Sequence, residues 1–206
     1  MNVLGNVKKF SLGGAFVGAL VIAGSLSLTG CLTDDKKDDP APATKEMVKT
    51  MNVNVGAQGN NTLGSFIDLD SYAVLKQAAA EAASGTVDLV FAYSGTANSS
   101  AVYSPDAAKA GIAGGAGLDI AQGLTTANKT ALKTVDAAKF DALETVAGLD
   151  SLYNAGTAAS PEGRLLISVG NTIAAKTTGG KVVAMKITAV TTAATGEATI
   201  QGKAKW

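Results

Sequence analysis

The stretch TIAAKTTGGKVVAMKITAV, residues 172–190, decides the fold that we predict for this chain. Each half is largely apolar, and Gly179-Gly180 stands between the halves as a two-residue hairpin turn. Three large apolar side chains of the second half share one face: Val183, Met185 and Ile187. The stretch therefore predicts an antiparallel β-hairpin that packs one face on a core.

Strand patterns continue on both sides of this hairpin. Alternating or short apolar runs predict further strands at residues 51–55, 66–70, 86–93, 129–135, 164–169 and 199–206. Residues 86–93, TVDLVFAY, are the most apolar of these, so we expect this strand near the centre of the sheet. Residues 94–103 are rich in Ser and Asn and are predicted as a loop.

Two principal helices are predicted between the strands. The first starts at Asp70 or Ser71 and ends at Gly85, and the second runs from an Asp136 cap to about Tyr153. Runs of strands with separate helices are typical of the α+β class. We therefore predict one α+β domain over residues 47–206, with a mainly antiparallel sheet and both helices on one side. The alternative is a β-sandwich with inserted helices.

The composition excludes several kinds of site. The chain has no histidine, and its single cysteine is Cys31, so it cannot form a Ser-His-Asp or Cys-His site, a His/Cys zinc site or an internal disulfide. Without residues 1–30 the chain loses Lys8 and Lys9, and 17 acidic residues then face 15 basic ones, a net charge of −2. Such a domain has no electrostatic basis for binding nucleic acid.

Carboxylates are the remaining groups for catalysis. Glycoside hydrolysis needs two of them on either side of the scissile bond. The candidates are Asp68 with Asp70, Asp88, and Asp141 with Glu144. Their positions also suit a solvated strand face, a helix cap and the outer face of a helix. We therefore predict no catalytic residue, and keep a carboxylate-dependent hydrolase of polysaccharide or peptidoglycan as the alternative.

One acidic segment and one glycine-rich segment resemble calcium-binding sites in composition. Asp34-Asp35 and Asp38-Asp39 lie in a flexible segment without a preformed cage. Residues 114–119, GGAGLD, match a calcium-binding repeat only once, and such repeats need stacked neighbours. We predict no metal and no cofactor.

A glycan or protein partner is the remaining binding function that the sequence suggests. Most aromatic residues fall on predicted core faces. Tyr103 ends the polar loop and Trp206 ends the chain, so these two are the candidates for an exposed aromatic platform. The alternative, which we favour, is that they pack in the core or at its rim, as aromatic residues usually do.

The first 46 residues carry the most specific pattern of the chain. Lys8 and Lys9 precede an apolar run that ends at Leu28-Thr29-Gly30-Cys31, and CLTDDKKDDPAPATKE follows as residues 31–46. This pattern resembles the lipobox of bacterial lipoproteins. The resemblance implies that residues 1–30 are a signal peptide, that Cys31 carries the lipid, and that residues 31–46 are a flexible acidic tether. The alternative is an uncleaved membrane helix.

The resemblance also implies a place in the cell. A lipid anchor at Cys31 would hold the protein at the outer membrane, on the cell surface or on the periplasmic face. Three further segments are similar to small surface lipoproteins of unassigned function in anaerobic Gram-negative bacteria: GSFIDLD (64–70), VDLVFAYS (87–94) and GGKVVAMKITAV (179–190). This second resemblance implies no functional residue.

Overall fold

Two antiparallel sheets face each other across a shared hydrophobic core. The computed structural model describes residues 45–111 and 117–205. In spatial order, the larger sheet consists of β1 (Lys49–Gly56), β11 (Glu197–Ala204), β10 (Val182–Val190), β9 (Thr172–Lys176), β6 (Ala131–Thr134) and β7 (Thr157–Ala158). The smaller sheet consists of β3 (Ala73–Leu75), β2 (Phe66–Asp68), β4 (Leu89–Ser94), β5 (Ser99–Tyr103) and β8 (Arg164–Ile167).

The predicted hairpin forms the middle of the larger sheet. Strands β9 and β10 pair so that Val183 lies opposite Ala175 and Met185 lies opposite Ile173. Gly180 adopts a φ of 87°, a left-handed conformation that glycine tolerates without steric cost. Val183, Met185 and Ile187 are all buried in the core between the sheets. The hairpin and its buried face are confirmed.

The smaller sheet has its most apolar strand in the middle, as predicted. Strand β4 pairs with β2 on one side and with β5 on the other. Leu89 and Phe91 point into the core shared with the larger sheet, whereas Val90 and Ala92 belong to a second core on the outer face. Helices α1 (Gln77–Ala82) and α2 (Pro105–Ala110) contribute alanines to that second core.

The larger sheet also carries helices on its outer face. Helices α3 (Ala137–Asp141) and α4 (Val146–Ala155) bury apolar side chains against Val182 and Ala184 of β10. The α+β class and the mainly antiparallel architecture are therefore confirmed. The prediction placed both principal helices on one side of one sheet, whereas the structure has two sheets that share a core and helices on both outer faces. The reason is that β4 and β10 are apolar on both of their faces, so each strand is buried on both sides.

Three elements differ clearly from the prediction. A φ of 58° at Tyr72 turns the chain, so residues 73–75 form a strand and α1 begins only at Gln77. The helix predicted from Asp136 divides into α3 and α4, because Thr145 caps the second one through a bond from the Gly148 N–H to its Oγ1. Residues 99–103, predicted as loop, form β5.

Several predictions fall outside the described residues. They concern the signal peptide, Cys31 and the tether up to residue 44, residues 114–116 of GGAGLD, and Trp206. In the part of the chain that the structure describes, no helix combines the length and the apolar character needed to cross a membrane.

Candidate functional site

A cavity of about 540 Å³ opens beside the turn between β9 and β10, and we call it the Asp70 pocket. Its apolar lining comes from Val146, Leu149 and Val182. Its charged lining comes from Asp70, Asp150, Lys181 and Lys205. Cavities of this size hold small organic ligands, and a few polar groups around an apolar surface are typical of such sites.

Lys181 connects the two sheets at this pocket. It follows the glycine turn of the larger sheet, and its Nζ donates hydrogen bonds to the carbonyl oxygens of Leu69 (3.0 Å) and Asp70 (3.1 Å), which lie just after β2 of the smaller sheet. The same Nζ lies 3.9 Å from Asp70 Oδ1 and 4.7 Å from the centre of the Tyr72 ring. Lys181 therefore fixes the turn between β2 and β3 that places Asp70 at the pocket.

Three carboxylates lie close together next to Lys181: those of Asp68, Asp70 and Asp88, which we call the aspartate cluster. One oxygen of each lies within 4.8 Å of the others. Asp68 accepts hydrogen bonds from the backbone N–H groups of Asp70 (2.8 Å) and Ser71 (3.1 Å), which stabilise the turn. Asp88 is only 4% exposed, and its Oδ2 accepts a hydrogen bond from the Leu69 N–H at 2.8 Å.

Burial raises the pKa of Asp88 from 3.8 to about 6. The hydrogen bond from the Leu69 N–H lowers this pKa, the negative charges of Asp70 and Asp68 raise it, and the positive charge of Lys181 lowers it. Burial is also the main cause that raises the pKa of the Tyr72 hydroxyl, with a smaller contribution from Asp70. A carboxyl group with a raised pKa is often functional, but only where a substrate can reach it.

The aspartate cluster has oxygen ligands that suit a hard cation such as Ca²⁺. However, both oxygens of Asp68 already accept hydrogen bonds, Oδ2 from the Ser71 hydroxyl at 2.8 Å. The ammonium group of Lys181 supplies a positive charge next to Asp70. Lys181 thus balances part of the negative charge of the cluster. That the protein binds no metal stays a prediction.

The predicted carboxylate candidates separate into two groups. Asp68, Asp70 and Asp88 come together, but Asp70 alone of the three lines the Asp70 pocket. Asp141 forms an ion pair with Lys186, whose Nζ lies 2.8 Å from Oδ1 and 2.9 Å from Oδ2. Glu144 lines a different groove beside α3 and α4, and Asp141 does not line that groove.

Tyr103 is not an exposed aromatic platform, and the favoured alternative, packing in the core, is confirmed for it. This side chain is 7% exposed and packs in the core outside the smaller sheet. Because residues 99–103 form a strand paired on both sides, with β4 and β8, rather than a polar loop, Tyr103 cannot serve as an exposed platform. Trp206 lies outside the described residues, so its part in glycan binding stays a prediction.

Sequence reasoning gave no role to Asp150, Lys181 or Lys205, which all line the Asp70 pocket. The glycine pair did predict the turn that precedes Lys181. The contact of Lys181 with Leu69 spans 112 residues of sequence, and no local pattern predicts which turn of one sheet meets which turn of the other.

No family model matches this chain, and no curated protein matches it. A DUF4466 family protein from Parabacteroides merdae, known from a crystal structure, is similar over 77% of this chain, with 16% sequence identity and a TM-score of 0.46. The match covers 54% of that protein, so the chain spans about half its length.

Proposed function

We propose that this chain is a lipid-anchored protein of the cell envelope that binds a partner or ligand without chemically changing it. The observation that carries the proposal is the lipobox-like Leu28-Thr29-Gly30-Cys31 after a charged and then apolar segment. A diacylglycerol and an amide-linked acyl chain on Cys31 would exceed the two membrane signals that stable anchoring requires.

The chemistry of the described residues supports a binding role. General acid catalysis needs a protonated group within reach of the substrate. Asp88 has the raised pKa that suits such a group, but it is buried and does not line the Asp70 pocket. The pocket instead presents charged groups around an apolar surface, which is suited to binding.

A carboxylate-dependent hydrolase remains the second candidate, because Asp70 and Asp150 line one cavity. The purified protein should release no soluble products from peptidoglycan or from bacterial polysaccharide. Turnover that disappears in both Asp70→Asn and Asp150→Asn, while Glu197→Gln retains it, would replace the binding function with the hydrolase.

The location is tested separately in cells. We propose that residues 32–46 act as a tether, and a random coil of about 15 residues would span about 20 Å on average. We expect proteinase K to degrade the protein in intact cells. Replacing Asp34, Asp35, Asp38 and Asp39 by Ala should remove this sensitivity and leave lipidation unchanged. Degradation of the wild type only after the outer membrane is opened would place the domain in the periplasm.

A further inference from the structure

The Asp70 pocket carries charges of both signs that are not all committed to fixed partners. Lys181 is held by the backbone carbonyls of residues 69 and 70. Lys205 forms an ion pair with Glu46 at 3.0 Å, and the two side chains are 58% and 52% exposed. An exposed pair of this kind contributes little stability, so Lys205 can exchange Glu46 for a ligand at small cost.

The acidic side chains of the pocket make fewer hydrogen bonds and ion pairs than its two lysines. The carboxylate of Asp150 makes no hydrogen bond and no ion pair with any residue that the structure describes. Asp70 faces Lys181 only at 3.9 Å, a distance longer than a hydrogen bond. These two carboxylates can therefore accept hydrogen bonds from a ligand.

The combination of groups distinguishes between classes of ligand. Lys181 and Lys205 would repel a purely cationic molecule, and Asp70 and Asp150 would repel a purely anionic one. A neutral sugar usually stacks on an aromatic ring, and none is among the described residues that line this pocket. A molecule with both charges and an apolar side chain is complementary to the whole pocket.

We propose that the Asp70 pocket binds a zwitterionic short peptide with an apolar side chain, an inference that rests on the proposed binding function. The peptide ammonium group lies against Asp150 and Asp70, its carboxylate contacts Lys205, and its apolar side chain packs on Leu149 and Val182. Gly180 leaves this approach open, since a Cβ added there would meet no atom within 4 Å.

Calorimetric titration of the full-length protein in detergent tests the proposal, with the dipeptide Leu-Ala as the probe. We expect binding of Leu-Ala, and binding weaker by about fivefold or more for N-acetyl-Leu-Ala and for Leu-Ala amide, each of which lacks one terminal charge. Asp150→Asn should weaken the binding of Leu-Ala but not of N-acetyl-Leu-Ala. Lys205→Gln should weaken the binding of Leu-Ala but not of Leu-Ala amide.

Glu197→Gln removes an exposed charge that does not line the pocket, and it should bind like the wild type. Equal affinity for the charged and the blocked dipeptides would overturn the proposal. So would binding of diacetylchitobiose without binding of Leu-Ala, which would indicate a glycan site instead. Absence of binding to every form of the peptide would also overturn the proposal. The proposed function would still be tested separately, because palmitate labelling and the assay for hydrolysis of peptidoglycan and polysaccharide are made without a peptide.

Discussion

Replacing Asp88 by Asn should stabilise the protein at neutral and basic pH. Asp88 is buried beside Asp68 and Asp70, so its ionised form is unfavourable in the folded chain. Asn has nearly the same shape, and its side-chain oxygen can still accept the hydrogen bond from the Leu69 N–H. The substitution therefore removes a buried charge without opening a cavity.

The magnitude follows from the pKa of Asp88. Because folding raises this pKa from 3.8 to about 6, the folded state holds the proton more tightly than the unfolded state. The protonated carboxyl contributes stability that is fully present below pH 3.8 and is lost as the pH rises through about 6. At about 1.4 kcal/mol for each pH unit, the complete loss amounts to about 3 kcal/mol. We expect Asp88→Asn to recover between about 1 and 3 kcal/mol at pH 8.

Urea unfolding of both proteins at pH 8 and at pH 3.5, with EDTA present, measures this effect. The variant should be more stable at pH 8, and the difference should vanish at pH 3.5, where Asp88 of the wild type is protonated. Asp150→Asn is the control, since this exposed residue should change stability by less than about 0.5 kcal/mol. A variant less stable than the wild type at pH 8 would refute the reasoning. Calcium that stabilises the wild type but not Asp88→Asn would show that the aspartate cluster is a cation site.

Two further predictions concern helix α3, which packs on the outer face of the larger sheet. Lys203→Met should lower the free energy of unfolding by about 2 kcal/mol in urea, because its Nζ donates to the carbonyl oxygens of Phe140 (2.9 Å), Asp141 (3.1 Å) and Leu143 (3.0 Å) at the end of α3. An unchanged midpoint would contradict this. Asp136→Ala should lower the free energy of unfolding by about 1 kcal/mol, because Asp136 caps α3 by accepting a hydrogen bond from the Lys139 N–H. The control is Lys139→Met, a substitution of an exposed side chain. If Asp136→Ala lowers the free energy of unfolding no more than this control does, the cap does not stabilise α3.

Local patterns predicted the elements that are short, largely apolar runs bounded by turn residues. The hairpin at residues 172–190 and the strand within residues 86–93 are of this kind, and such runs are typical of buried strands. The start of α2 has a local pattern too, since Ser104 precedes a proline at the first helical position, where proline is favoured. These features depend on neighbours in the chain and on no distant contact.

The remaining features depend on contacts between distant parts of the chain. Strand β5 begins with Ser99 and Ser100, which resemble a loop until β4 and β8 pair with them. The positive φ of Tyr72 replaces a predicted helix start with a turn. The same turn brings Asp70 to Lys181, and so the Asp70 pocket could not be predicted from either segment alone.

Metabolic labelling with radioactive palmitate tests the central claim most directly. If Cys31 carries the lipid, as we propose, cells that produce the wild-type chain should incorporate label into it. Cys31→Ser, which replaces the only cysteine of the chain, should incorporate none at the same level of protein. Equal labelling of the two proteins, or an unlabelled wild type, would contradict the lipid anchor and the envelope function that depends on it.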